Sequence, residues 1–128
     1  MFKHTLMVAI ASFASVASFA SSILTCPGIA LAAQPPEPDR EGYFHNIDWS
    51  SWRVVDEDPN GLNCRRGAGT NNAIVTRFRL MTVLVPVRPR QVRFDRDGDP
   101  WMEVRLANGS SCFVAANAWY VLPSWEGN

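Results

Sequence analysis

The chain has 128 residues, of which 47% are hydrophobic, and it carries 12 Lys and Arg against 12 Asp and Glu. This length allows one small domain and excludes a multi-domain enzyme. The formal net charge of zero argues against an electrostatic nucleic-acid binder, which needs a basic excess.

Residues 1–32 have the layout of a signal peptide. Lys3 gives a basic start, an apolar run follows from Leu6 to Leu24, and Pro27-Gly28 breaks that run. Small residues then lead to an expected cleavage site after Ala32. The pattern therefore predicts an exported protein, either periplasmic or secreted.

The same segment has alternatives. Cleavage after Ala33 is the second choice. The run Leu6–Leu24 is long enough for an uncleaved membrane anchor, since about 20 apolar residues suffice, although its serines weigh against that. A lipoprotein signal at Cys26 would follow Thr25, where a smaller residue is usual. We expect no stable membrane span in the mature form. The basic residues of that form are all arginines.

Cys64 and Cys112 are the two cysteines beyond the signal peptide. In an exported protein an even pair of cysteines predicts a disulfide. A metal pair or a reactive thiol is the alternative, but these cysteines and His45 lack the close ligand spacing of a zinc site.

Residues 33–48 are predicted to be a Pro-rich linker or a disordered N-terminus. Three prolines fall within four residues of the stretch Gln34–Glu41, and proline suits neither a packed helix nor a central strand. Tyr43 and Phe44 lie just beyond it, where they either extend the linker or dock on the domain. Residues 124–128 are predicted to be a C-terminal tail.

Short apolar runs broken by turn residues occupy the rest of the chain. Turn signals stand at Asp58–Gly61, Asp97–Pro100 and Asn108-Gly109. Many short strands at this spacing predict an all-β fold, a small antiparallel barrel of about five to seven short strands. The candidate segments are Trp52–Val55, Leu62–Arg65, Ile74–Leu80, Thr82–Val87, Gln91–Phe94, Trp101–Leu106, Ser111–Val114 and Tyr120–Leu122.

Four segments together resemble bacterial SH3-like (SH3b) domains. The most specific is Leu62–Thr70, whose Leu-Asn-Cys-Arg-Arg-Gly is similar to the family's opening Leu-Asn-Val-Arg-x-Gly. Trp101–Val104, Cys112–Val114 and Tyr120–Pro123 resemble its later strands. The likeness covers residues 49–123, and the two cysteine-bearing segments resemble a disulfide-bearing subgroup of secreted cyanobacterial proteins. Cys64 stands where the family usually has a valine, and Cys112 where it usually has a glycine. In the family fold these positions lie on strands that are close together, so the resemblance implies that the two cysteines form a disulfide.

Strand alternation separates the two faces of Trp101–Leu106. Met102 and Val104 belong to the core, so Trp101 points the other way. An outward tryptophan is a favoured anchor at binding sites. Packing of Trp101 against the 88–99 loop or against the N-terminal segment is the alternative.

The resemblance implies an aromatic groove that binds cell-wall peptides. Trp101 with Tyr120 is the first candidate pair, and Arg65 could hold a ligand carboxylate. An ion pair of Arg65 with Asp56, Glu57 or Asp58 is the preferred alternative. The weaker candidates are Trp49, Trp52 and Trp119.

The run Asp95–Asp99 alternates carboxylates in a way that suits Ca²⁺. However, Gly98 falls too early for the glycine of an EF-hand loop, and Leu106 stands where the bidentate glutamate belongs. An acidic hairpin turn is therefore the preferred interpretation. We expect no metal and no cofactor.

Catalytic motifs are missing from the sequence, which has neither a Gly-x-Ser-x-Gly element nor a His-Glu-x-x-His motif. We therefore expect a non-enzyme. The first hypothesis is a secreted or periplasmic SH3-like module that binds cell-wall peptide, peptidoglycan or another envelope component. The alternative is a secreted protein-interaction or inhibitor-like domain without a cell-wall ligand. The expected partners are thus cell-wall peptide or an envelope protein, and no nucleic acid.

Overall fold

The computed structural model describes residues 33–125. The predicted signal peptide lies outside the described residues. Within them the regular structure is entirely β, which confirms the predicted fold class. This part of the chain contains no helix with the length and apolar character needed to cross a membrane.

Eight strands follow one another along the chain, and each overlaps one of the predicted segments. The largest difference concerns Thr82–Val87, of which only two residues form a regular strand. The strand ends at Leu84, two residues before Pro86, which cannot donate to a ladder. The strands are β1 (Trp52–Val54), β2 (Leu62–Arg65), β3 (Ile74–Phe78), β4 (Val83–Leu84), β5 (Arg93–Phe94), β6 (Pro100–Arg105), β7 (Ser111–Ala115) and β8 (Val121–Pro123).

The strands form two antiparallel sheets, with the orders β4-β1-β8 and β3-β2-β7-β6-β5. Within the described part of the chain these sheets do not close into a barrel, and the eight strands exceed the five to seven expected. A connection between the two sheets lies just after β4. Pro86 bridges Val104 of β6, and the N–H of Val87 donates to the carbonyl of Glu103 at 2.9 Å. The chain thus leaves one sheet and joins the other at a corner.

The core lies between the sheets and follows the predicted alternation. Met102 and Val104 of β6 are fully buried, as is Trp52 of β1. Cys64 and Cys112 form a disulfide, with their Cα atoms 5.5 Å apart, between the neighbouring strands β2 and β7. This confirms the predicted pair and excludes a metal pair or a free thiol there. Such a bond is typical of exported proteins.

The predicted linker at residues 33–48 is wrong for its second half. Phe44 and Ile47 belong to the hydrophobic core, and the ring of Phe44 meets Trp52 edge to face with centroids 4.8 Å apart. The N–H of Phe44 donates to the carbonyl of Ala116 at 2.9 Å. These residues dock because burial of a phenylalanine and an isoleucine outweighs the ordering of a short segment.

The predicted C-terminal tail begins too early, at residue 124. The N–H of Ser124 donates to the carbonyl of Ser51 at 2.9 Å, and Ser124 is buried. Trp49 donates its indole N–H to the carbonyl of Ser124 at 2.7 Å, and its ring meets Trp125 edge to face. Aromatic packing and these hydrogen bonds therefore hold Ser124 and Trp125 on the domain.

Candidate functional site

A cleft of about 380 Å³ opens where several loops meet the face of β6 that points away from the core. Its walls come from the β1–β2 loop, β2, the β5–β6 turn, the β7–β8 connection and the segment around Tyr43. Trp101, Tyr120 and Arg65, the three foremost sequence candidates, all line it. The volume lies at the lower end of the range of ligand pockets, about 300–1,000 Å³.

Trp101 forms a covered wall of this cleft. The alternation along β6 is confirmed, because Trp101 stands outside the core cluster that holds Met102 and Val104. Its exposure is nevertheless only 5%, and its indole N–H donates to Oδ2 of Asp95 at 2.8 Å. Packing against the 88–99 loop, the alternative interpretation, is therefore the observed one. Trp101 offers the cleft a rigid surface rather than a free side chain.

Tyr120 is the predicted residue that is most accessible within the cleft, with 39% of its surface exposed. It ends the connection between β7 and β8, where its N–H donates to the carbonyl of Asn117 at 2.9 Å. The backbone turn thus fixes the position of Tyr120, and its ring remains open to solvent. A side chain of this kind can contact a ligand without unfolding its surroundings.

The remaining tryptophan candidates are not in the cleft lining. Trp52 and Trp49 are buried in the core. Trp119 is the most exposed large hydrophobic residue described, at 76%, but it also does not line the cleft. The structure therefore does not bring Trp49 or Trp119 together with Trp101.

Arg65 lines the cleft but is engaged in holding a loop. Its Nη1 donates to the carbonyl of Asn72 at 2.9 Å and to that of Thr70 at 3.1 Å. The predicted ion pairs with the acidic residues of the β1–β2 loop are not observed. Arg65 instead ties the loop between β2 and β3 to the strand that precedes it, so part of its guanidinium is unavailable for a ligand carboxylate.

The run Asp95–Asp99, which we call the acidic turn, is the predicted hairpin turn between β5 and β6. The N–H of Asp95 donates to the carbonyl of Asp99 at 3.0 Å, and Gly98 adopts a positive φ of 81°. Glycine suits this conformation because it has no Cβ. The turn is closed by backbone hydrogen bonds.

Asp95 anchors the acidic turn. Burial opposes its ionisation, but the indole N–H of Trp101 and the backbone N–H groups of Asp99, Asp97 and Gly98 stabilise the carboxylate more strongly. The pKa of Asp95 is therefore held below its ordinary value of 3.8. The group is ionised at neutral pH and fixes the wall of the cleft.

Asp97 and Asp99 add further negative charge beside Asp95. Oxygens of these three carboxylates lie within 4.8 Å of one another, the spacing at which carboxylates can share a metal ion. Yet Oδ1 of Asp95 accepts N–H bonds from Asp97 and Asp99, and its Oδ2 accepts from Trp101. Asp95 is therefore turned toward the protein, and two carboxylates face outward at most.

Sequence reasoning missed Tyr43 as a member of the site. The negative charge of Asp99 is the main cause that raises the pKa of the Tyr43 phenol above its ordinary value. Tyr43 lines the cleft because an isolated bridge to Asn117 holds the N-terminal segment beside the β7–β8 connection. Its place after a proline-rich stretch made it look like part of a linker.

A second, wider depression lies between residues 45–48 and residues 89–92. Arg90 bridges part of it, with its Nη1 3.5 Å from Oδ1 of Asp48. None of the predicted ligand-binding residues lines it. The first cleft is therefore the candidate site.

Comparison of the chain with protein-family models, curated proteins and solved structures gives no match in any of the three. The likeness to SH3-like domains accordingly stays a prediction from the sequence. What the structure adds is an all-β domain with one disulfide and an aromatic, carboxylate-rich cleft.

Proposed function

We propose that this domain is a secreted or periplasmic binding module, SH3-like in character, that holds a peptide of the cell wall or another envelope component in the cleft. One observation carries the proposal: Trp101, Tyr120 and Arg65 line the same cavity although they lie in three separate elements. Convergence of aromatic and polar groups in a concave site is what ligand pockets share.

The roles within the cleft follow from accessibility. Tyr120 and Tyr43 are partly exposed and make the direct contacts with the ligand. Trp101 is covered and supplies a rigid wall, and Arg65 holds the neighbouring loop through its backbone bonds. A preformed wall favours binding because little conformational entropy is lost when the ligand enters.

Export and a binding role support one another. The disulfide is typical of proteins that leave the reducing cytoplasm, and the sequence of residues 1–32 predicts a signal peptide. The lining of the cleft in the described chain contains no His, Cys or Ser side chain, so neither a Ser–His nor a Cys–His nucleophile–base pair can form there. Binding without catalysis is therefore the function we propose.

Sedimentation of the purified protein with isolated peptidoglycan tests the proposal. We expect the wild type to sediment and Tyr120→Ala to remain largely in the supernatant, because the variant lacks the ring that contacts the ligand in the cleft. Trp119→Ala is the matched control, because it removes a neighbouring, more exposed aromatic ring that does not line the cleft. Absence of wild-type binding, or equal binding of Tyr120→Ala and wild type, would contradict the proposal.

A specific feature favours the second candidate, a protein-interaction or inhibitor-like domain. Strand β3 stands at the end of the five-stranded sheet, and its Ile74 and Val75 are exposed. An extended segment of another protein can add to such an edge by backbone hydrogen bonding. This candidate would be favoured if the wild type fails to sediment with peptidoglycan but cross-links to an envelope protein. The variant Val75→Pro should then lose that cross-link, because proline removes a backbone donor from the strand.

A further inference from the structure

The charges around the cleft are strongly one-sided. Among residues 33–125, Arg65 is the only cationic side chain that lines it, whereas five aspartates do. They come from two loops that lie far apart in the sequence, so the asymmetry arises only in the folded chain. The five are Asp56, Asp58, Asp95, Asp97 and Asp99.

These carboxylates lack counterions within residues 33–125. The ion pairs of that range join His45 to Asp39 and Arg90 to Asp48, both outside the cleft. Arg65 is directed toward the carbonyls of its own loop. A concave site lined by one sign of charge concentrates ions of the opposite sign, so the cleft attracts a cation.

We propose that the cleft selects a positively charged organic group, namely the protonated amine of a peptide side chain, which would sit between the rings of Tyr43 and Tyr120 and the carboxylates of Asp97 and Asp99. This inference rests on the proposed function, because it names the ligand chemistry of the same cleft. Aromatic faces and carboxylates both attract an ammonium group.

The aromatic walls favour an organic cation over a metal ion. Tyr43, Trp101 and Tyr120 line the cavity, and the face of an aromatic ring attracts an alkylammonium group. A calcium ion needs six to eight oxygen ligands, while Asp95 already directs both oxygens to N–H donors. The charge of Asp99 on this side of the cleft is also the main cause that raises the pKa of Tyr43.

Two small probes test the charge requirement directly. The first is Nα-acetyl-lysine amide, which keeps its amine, and the second is its Nε-acetylated form, which is similar in shape but neutral. Titration followed by NMR should show binding of the first probe at the resonances of Tyr43 and Tyr120, and no binding of the second. Equal binding of the two probes, or binding of neither, would overturn the inference.

Variants then assign the selectivity to the cleft. The double variant Asp97→Asn/Asp99→Asn keeps the side-chain shapes and should bind the amine probe about tenfold more weakly, the loss expected for a charge-assisted contact. The control Glu37→Gln/Glu57→Gln removes two exposed charges that do not line the cleft, and should match the wild type. An unchanged affinity in the Asp97/Asp99 variant would overturn the inference, as would micromolar Ca²⁺ binding that the same variant abolishes.

Peptidoglycan with chemically acetylated amines separates this inference from the proposed function. If the native material sediments the protein and the acetylated material does not, both stand. Equal sedimentation by both materials would overturn the amine requirement and leave the binding function intact. Failure of both materials, with the amine probe still bound, would contradict the cell-wall ligand and support the selectivity of the cleft.

Discussion

Asp95 links the acidic turn to Trp101 through a single carboxylate. Because its pKa is lowered in the folded protein, it stabilises the fold above its ordinary pKa of 3.8, and that contribution is lost as the pH falls through the folded value. We expect Asp95→Asn to lower the free energy of unfolding at pH 7 by about 1–2 kcal/mol. Urea denaturation at pH 7 and at about pH 2.5 should show this difference shrinking in acid.

A double-mutant cycle checks the partner of that carboxylate. Trp101→Phe removes the indole N–H and keeps an aromatic wall, so its effect and that of Asp95→Asn should be less than additive. Strictly additive losses would mean that the hydrogen bond contributes nothing to the coupling. A loss in Asp95→Asn that persists undiminished in acid would contradict the assigned charge effect.

Trp101 shows how far single residues could be predicted. The period of two along β6 correctly separated it from Met102 and Val104. Its burial could not be predicted, because its hydrogen-bond partner Asp95 is positioned by the way the preceding turn folds back. The same limit applies to Arg65, whose partners are backbone carbonyls of a loop that carries no charge signal.

At the scale of elements, the segment before β1 is an integral part of the domain. Phe44 is fully buried against Trp52, so Phe44→Ala should lower the free energy of unfolding by about 3–5 kcal/mol. His45→Ala is the matched control, since His45 is an exposed neighbour whose contact with Asp39 lies at the surface, and it should cost less than about 1 kcal/mol. Thermal unfolding followed by circular dichroism measures both, and a Phe44→Ala variant as stable as His45→Ala would show that the segment is only loosely attached.

Regular elements were the most predictable part of the fold. All eight strands overlap predicted segments, because alternation and turn residues are local signals. Tertiary partners decided the rest. Residues 85–87 change from one sheet to the other beside β6, and no local pattern encodes that exchange. The docking of Phe44 could not be predicted for the same reason. The prolines that precede it predict an extended segment, but they carry no information about the core against which Phe44 packs.

The neutral composition of the whole molecule conceals an uneven distribution of charge. The chain has equal numbers of acidic and basic residues, but in the part that the structure describes five aspartates and a single arginine line one cleft. Convergence of residues from distant loops is a property of the topology, which brings the β1–β2 loop beside the β5–β6 turn. The sequence correctly predicts an acidic hairpin turn at Asp95–Asp99, but the place of this turn in the cleft depends on neighbours that only the fold supplies.

The disulfide acts on the whole molecule because it joins residues 48 positions apart. Closing a loop of this length restricts the unfolded chain and stabilises the fold by about 4 kcal/mol in the loop-entropy treatment, a large share of the 5–15 kcal/mol typical of domains. In the chain that starts at Ala33, we expect Cys64→Ala/Cys112→Ala and the reduced wild type both to unfold at much lower urea concentrations than the oxidised protein. Thiol titration in denaturant without reductant should find no free thiol in the oxidised wild type. Two reactive thiols, or equal urea midpoints for the oxidised and reduced forms, would contradict a stabilising Cys64–Cys112 bond.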